Sequence, residues 1–406
     1  MDKKNHIKSS KEYTLNTHYI PVLNGFRAIA IILVAWFHIW QQSWLSPDFT
    51  ILGIDFQLTS IVRTGYIWVD MLVLLSGFLL FLPVARHMVE GEPLTESKAF
   101  FIKRARRILP SYLLTIGIML FVFAIPGREY GSFAEGFWDV ISHLTFTSIF
   151  SYDTYHYTKL NVVLWTLIVE IQFYMLFPLI SHFFRKNPVG TFLVMFGMGI
   201  FYRFYMIMPL ENVNLYFNQL PAFLDVYAMG MMGALFYVAY AKYFKKKREM
   251  SFVFTIIAIG VCVVLYRIID DFSTLTYNAV IGKVQMSYRN SLSALNLLLI
   301  LSTACAMSWW KWLFANKLMG FLAMISYNYY IWHQFIAIKF RLWNIPFSAY
   351  EFPNRQGQLS WQLRYTFLVV MTSVALATFI TYFWERPFTK HGLGALKRLM
   401  PKSKNS

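Results

Sequence analysis

Ten times along its 406 residues the chain passes through an apolar stretch of bilayer-crossing length. A helix rises 1.5 Å per residue, so about 20 apolar residues are needed to traverse the hydrocarbon core. The stretches fall at 21–43, 64–84, 109–126, 164–184, 190–208, 220–241, 251–269, 291–310, 318–340 and 362–384. The fifth is shortened by Pro209, and the eighth is rich in Ser and Asn. With 57% hydrophobic and only 14% charged residues, against about 25% charged in soluble domains, the composition excludes a water-soluble enzyme, a disordered chain and a secreted disulfide scaffold. The expected fold is an all-α polytopic membrane bundle of about ten transmembrane helices. No low-complexity tract or short repeat interrupts it. The longest external connection, roughly 127–163, is too short and too aromatic to form a folded appendage.

The net charge of +17, from 37 Lys+Arg against 20 Asp+Glu, raises nucleic acid or an anionic surface as partners. The positions of the cations decide. With both termini cytoplasmic, 25 cations fall on the cytoplasmic side, among them Lys3, Lys4, Lys8, Lys11 and Lys245–Lys247. Nine fall outside, Arg289 included, and Arg27, Arg203 and Arg267 lie within spans. This asymmetry follows the positive-inside rule in every loop pair. No nucleic acid partner is implied. The expected division is a cytoplasmic tail over 1–19, a transmembrane domain over 20–388 and a basic cytoplasmic tail over 389–406.

The two cysteines, Cys262 and Cys305, sit inside apolar runs and offer neither a disulfide framework nor metal-ligand spacing. No zinc-like clustering of His, Cys, Asp and Glu is present, so no metal is expected. The first apolar run begins near Ile20, carries Arg27 and His38, and lacks a small-residue cleavage site. It reads as a retained span rather than a signal peptide.

Ionisable groups at bilayer depth cost on the order of 2.5–3.5 kcal/mol on insertion scales. Arg27 and His38 are eleven residues apart, about three turns and ~16 Å, and so share one face of the first span. Counted from each external end, His38, Asp70, Glu170, Asp225 and His333 fall five to seven residues deep, a common layer roughly 8–10 Å below the surface. Scattered structural hydrogen bonds would not need a common depth, whereas a shared polar cavity would. A histidine beside carboxylates suits general-base work, because the carboxylate fixes the tautomer and stabilises the imidazolium. His38 and His333 both qualify, with Glu170 and Asp70 as orienting groups. At the cytoplasmic face, Lys103-Arg104-Ala105-Arg106-Arg107 serves by default as a topology determinant. Arg104 and Arg107, three apart on one helix face, also suit a phosphate-rich ligand. Arg27 approaches from the same side.

These segments resemble the acyltransferase 3 family of membrane enzymes. The resemblance rests on Leu23-Asn24-Gly25-Phe26-Arg27 with His38; Trp68-Val69-Asp70 with Ser76-Gly77-Phe78; Lys103 to Pro110; and Leu164-Trp165-Thr166 with Val169-Glu170. It continues through Leu224-Asp225 with Gly230, Ser326-Tyr327 with Trp332-His333, and Glu385-Arg386-Pro387-Phe388, in order over about 370 residues. The resemblance implies that His38 is catalytic, that Arg104 and Arg107 contact a coenzyme A donor, and that Glu170 is the acidic position of the fourth span. It is to members without a fused esterase-like domain.

The expectation is therefore an O-acyltransferase, in first place an O-acetyltransferase, of a bacterial plasma membrane. Acetyl-CoA or another acyl-CoA would bind Arg27, Arg104 and Arg107. His38, with Glu170 and Asp70, would act on a hydroxyl of an extracytoplasmic glycan or lipid-linked sugar. Asp225, Tyr330 and His333 would line the acceptor cavity. The rival from another class is a multi-pass transporter or exporter, which lacks matched Gly/Pro-broken helices in two similar halves. A membrane sensor or scaffold would leave the polar layer unexplained.

Overall fold

The computed structural model describes residues 16–51, 53–244, 248–276, 280–392 and 394. Lys3, Lys4, Lys8, Lys11, Lys245–Lys247 and most of the two expected tails lie outside the described residues. Ten long helices occupy the ten expected positions. They are α1 (Pro21–Ser43), α2 (Gly65–Glu90), α3 (Ser97–Ala124), α4 (Leu164–Lys186), α5 (Pro188–Ile207), α6 (Leu220–Tyr243), α7 (Arg248–Leu275), α8 (Ile281–Cys305), α9 (Lys317–Leu342) and α10 (Leu359–His391). Among the described residues, eight are long and apolar enough to cross a membrane; α8 and α9 are the more polar pair. Their polarity is turned inward: Gln285, Arg289, Ser293 and Asn296 on α8, and Ser326, Asn328 and His333 on α9, are all buried. The protein is an all-α polytopic membrane bundle.

Local chemistry sets the helix limits. Pro21 occupies the first turn of α1, where its missing N–H costs nothing. Between α4 and α5, the Asn187 side chain accepts from the Gly190 amide at 2.9 Å and Pro188 starts the new helix. Gly91 closes α2 at φ +79°.

The two central helices, α2 and α6, pack backbone against backbone. A Cβ on Gly230 would stand 2.2 Å from the Leu74 carbonyl oxygen, and one on Gly77 would stand 2.6 Å from that of Tyr227. Small residues at this crossing allow the close approach that membrane helices rely on.

Among the departures from the sequence reading, α8 begins at Ile281 rather than near 291, and two more concern the segment around α3. The third helix begins at Ser97 rather than near 109, so the arginine run lies on the helix itself. Pro110 sits inside it, and nearby carbonyls are capped from other helices: the Tyr327 hydroxyl donates to Ile108 O (2.9 Å) and Trp384 Nε1 to Pro110 O (2.8 Å). Second, the 127–163 connection is more than a connection. It holds a helix over Phe133–Leu144, capped by the Ser132 hydroxyl, and a turn of helix over Tyr152–Tyr155.

Candidate active site

At the N-terminal ends of α1 and α3, Arg27, Arg104 and Arg107 line one end of a narrow chamber of about 110 Å³. Arg27 and Arg104 are half-buried and Arg107 is exposed. The Arg104 guanidinium lies 5.5 Å from the Tyr174 ring and 5.7 Å from that of Phe100, which orients its planar face. Glu170 lines the same chamber; it accepts from the Ser76 hydroxyl at 3.0 Å and from the Tyr174 hydroxyl. Beyond this polar mouth the walls turn apolar, with Ile31, Val69 and Val73, and the far end reaches Thr166 and Tyr330. Drug-sized pockets measure about 300–1,000 Å³. The chamber is therefore too small to enclose a bulky ligand.

Tyr330 leads to a histidine pair. Its ring lies 5.6 Å from that of His333, which in turn lies 5.3 Å from that of His38. His333 is fully buried, and its Nδ1 faces the carbonyls of Tyr330 (2.7 Å) and Tyr329 (3.2 Å). Carbonyls only accept, so Nδ1 carries the proton and Nε2 is a bare lone pair. That Nε2 is buried with no hydrogen-bond partner among the described residues. His38 is half-buried and donates from Nδ1 to Gln41 Oε1 at 3.0 Å, which leaves its own Nε2 as the basic nitrogen.

The shared layer expected from depth is not one cavity. Asp70 does not orient His38: its Oδ2 accepts from Arg289 Nε at 3.2 Å, and both residues are buried. Asp225 does not line the histidine cavity either. It takes a forked pair of hydrogen bonds from Arg203 at 2.7 and 2.6 Å and accepts a third from Asn290. The Ala222 carbonyl receives Nη1 of both arginines, at 2.6 Å from Arg203 and 3.1 Å from Arg289. The result is a buried network of two carboxylates and two guanidiniums. It cancels charge where isolated charge is most costly. Arg289, placed outside by the sequence reading, lies within α8 and is fully buried. Glu170 stands with the arginines and not with His38, whose hydrogen bond among the described residues goes to Gln41.

The sequence reading missed Gln41, Arg289 and Asn290. Gln41 was legible, since a residue three positions on shares the helix face of His38. The sequence places Arg203 within the fifth span and names no partner for it. Its place in the last, widened turn of α5 (Tyr202–Ile207) brings it against the start of α6.

A polytopic helical bundle with a cationic mouth, a small chamber and a histidine pair defines the class as a multi-pass membrane protein with an enclosed polar site. The family assignment agrees with that class. A family model described as an acyltransferase domain (Acyl_transf_3) matches residues 20–383, and the chain belongs to that family. An O-acetyltransferase OatA of Staphylococcus aureus (strain MRSA252) is 25% identical over 421 residues, covering 100% of this chain and 62% of its own length. A Staphylococcus aureus (strain COL) relative, whose name gives O-acetyltransferase as an unproven assignment, is 24% identical over 397 residues, covering 93% of this chain and 58% of its own length. The peptidoglycan O-acetyltransferase OatA of Listeria monocytogenes serovar 1/2a is 26% identical over 196 residues, 45% of this chain and 28% of its own length. The chain thus spans about three fifths of the length of the curated relatives that it matches throughout. No solved structure matches.

Proposed function

We propose that this chain is an integral-membrane O-acyltransferase that moves an acyl group, acetyl first among them, from cytoplasmic acyl-CoA to a hydroxyl of an extracytoplasmic glycan. The observation that carries the reading is the chamber itself, which runs from Arg27, Arg104 and Arg107 to Tyr330, beside the His333–His38 pair. The arginines suit the phosphates of coenzyme A, and the thin apolar neck suits its pantetheine arm. Arg27 and His38 are ~16 Å apart along α1, so a donor held at the first can present its thioester near the second. The excess of cations on the arginine side supports a cytoplasmic donor and a bacterial plasma membrane.

In the proposed reaction, His38 Nε2 takes the proton of the acceptor hydroxyl as its oxygen attacks the thioester carbonyl. The C–S bond then breaks, and the proton passes from His38 to the departing thiolate to give free coenzyme A. Gln41 holds His38 in the tautomer this needs. His333 Nε2, buried with no hydrogen-bond partner among the described residues, belongs to the ring that lies 5.3 Å from that of His38. Glu170 acts as a positioning residue of the donor chamber, through Tyr174 and Ser76. Asp70 and Asp225 hold α2, α5, α6 and α8 in register. The test compares the O-acyl content of surface glycans, by mass spectrometry, in cells with and without the chain. An unchanged content, together with no acetyl-CoA turnover by the purified protein, would overturn the reading.

A further inference from the structure

The segment between α3 and α4 builds a second cavity, of about 700 Å³, apart from the donor chamber. It stands at the C-terminal end of α3, the end opposite Arg104 and Arg107, on the side to which α1 carries His38. Its walls combine three exposed rings, Trp138 (62%), Phe150 (53%) and Tyr157 (65%), with the carboxylates Asp153 and Glu135 and the hydroxyl of Thr147. Among the described residues, neither lysine nor arginine lines it.

The cavity is a built feature. Asp139, 3% exposed, gathers its walls: Oδ2 accepts from the Tyr130 hydroxyl (2.9 Å), the Thr158 hydroxyl (3.1 Å) and the Lys159 amide (3.0 Å). Just beyond Lys159, Asn161 Nδ2 donates to the Ile331 carbonyl at 2.8 Å, two residues before His333. Gln172 of α4 donates to Phe146 O at 2.9 Å. The cavity is thereby tied to the helices that carry His333 and Glu170. Asp153, in contrast, is exposed and has no hydrogen-bond partner among the described residues, so its carboxylate is free for a ligand.

A pyranose ring presents a face of C–H bonds edged with hydroxyls. Exposed aromatic rings pack against the first, and carboxylates accept from the second in charge-assisted hydrogen bonds. The volume lies within the range of small-molecule sites. The carboxylate lining repels polyanions. We infer that this cavity is an acceptor subsite for an uncharged glycan, holding two or more sugar units while the adjoining hydroxyl is presented toward His38. The inference rests on the acyltransferase reading for its role and on the cavity alone for its ligand.

The test uses the full chain in lipid nanodiscs, with a β-1,4-linked N-acetylglucosamine tetramer as probe and a tetragalacturonate as anionic comparator. Isothermal titration is expected to detect the tetramer and not the comparator. Trp138→Ala and Tyr157→Ala should each weaken tetramer binding about tenfold or more while acetyl-CoA binding stays unchanged. Asp153→Asn should weaken the tetramer and improve the comparator. Absence of tetramer binding, or equal affinity in Trp138→Ala and wild type, overturns the inference. So do diazirine-lipid adducts on Trp138 and Tyr157 that the tetramer does not displace, which would assign the rings to the bilayer interface. Acetyl transfer is read separately. Trp138-dependent tetramer binding without any transfer would retain the subsite and reject the acyltransferase reading; transfer that is indifferent to Trp138 and Tyr157 would do the reverse.

Discussion

The imidazoles of His38 and His333 lie 5.3 Å apart, centre to centre, and their surroundings differ in a way that, on the proposed reading, divides the labour between them. His333 is sealed, with Nδ1 tied to the Tyr330 carbonyl, whereas His38 is half-buried and tied to a movable side chain, Gln41. Only His38 combines a fixed tautomer with an approachable edge. His38→Ala is expected to lower acetyl transfer by about 10²–10⁴-fold, the usual loss for a general base. Membrane content and thermal unfolding should stay near wild type. His333→Gln, which keeps a buried acceptor, should lose much less. Equal losses in the two variants, measured with radiolabelled acetyl-CoA, would reject the division.

On the proposed reading, the three arginines act on donor binding rather than on the chemical step. Arg104→Ala and Arg107→Ala should each raise the KM for acetyl-CoA about tenfold or more, as the loss of a charge-assisted contact predicts. The kcat should remain within about threefold. Arg104→Lys keeps the charge but loses the planar fork that lies against Tyr174 and Phe100, so it should fall between the two. Steady-state kinetics at two salt concentrations check this. A fall in kcat at unchanged KM would place these side chains at the chemistry instead.

The network of Asp70, Arg289, Arg203 and Asp225 predicts an asymmetry in stability. Removal of one partner leaves an uncompensated buried charge, at a cost of about 3–5 kcal/mol. Arg203→Met and Asp225→Leu should each lower the thermal midpoint of the detergent-solubilised protein strongly. The double variant, which has neither charge, should recover part of the loss. Additive losses in the double variant would show that the pair is not coupled.

The sequence predicted these features unevenly, for physical reasons. Ten helices were legible because lipid demands an unbroken apolar length, and even α8 was found despite its Ser and Asn. The meeting of Arg27, Arg104 and Arg107 followed from helix period and from a common membrane face. The polar layer was misread because depth fixes a residue's height on a helix and leaves its direction around the axis open. Asp70 and Asp225 share the depth of His38 but point to arginines of α8 and α5. Arg289 was placed outside because the apolar count of the eighth stretch begins at 291, whereas the helix begins at Ile281. Its polar turns are held by protein, so hydropathy could not mark them. The cap over 127–163 was missed for a related reason. In the helix Phe133–Leu144 the polar residues Asp139 and His143 face inward while Phe133 and Trp138 are exposed, the reverse of the pattern that signals a core-packed helix.

That inverted helix carries the last prediction. Burial acts to raise the Asp139 carboxyl, but His143 at 3.3 Å, the Lys159 amide and the Thr158 hydroxyl outweigh it and hold the group below its ordinary range. A carboxylate depressed in the folded state contributes stability that is present above its unfolded value, about 3.9, and is lost as pH falls through the folded one. Hydrogen exchange over residues 133–158, corrected for intrinsic rates, should be constant from neutral pH down to about 5 and rise only below about 4. Asp139→Asn should exchange faster at neutral pH and lack the acid step, because no proton remains to be taken up there. An acid step of wild-type size in that variant would assign the titration to another group, and the cavity that Asp139 assembles would need a different organiser.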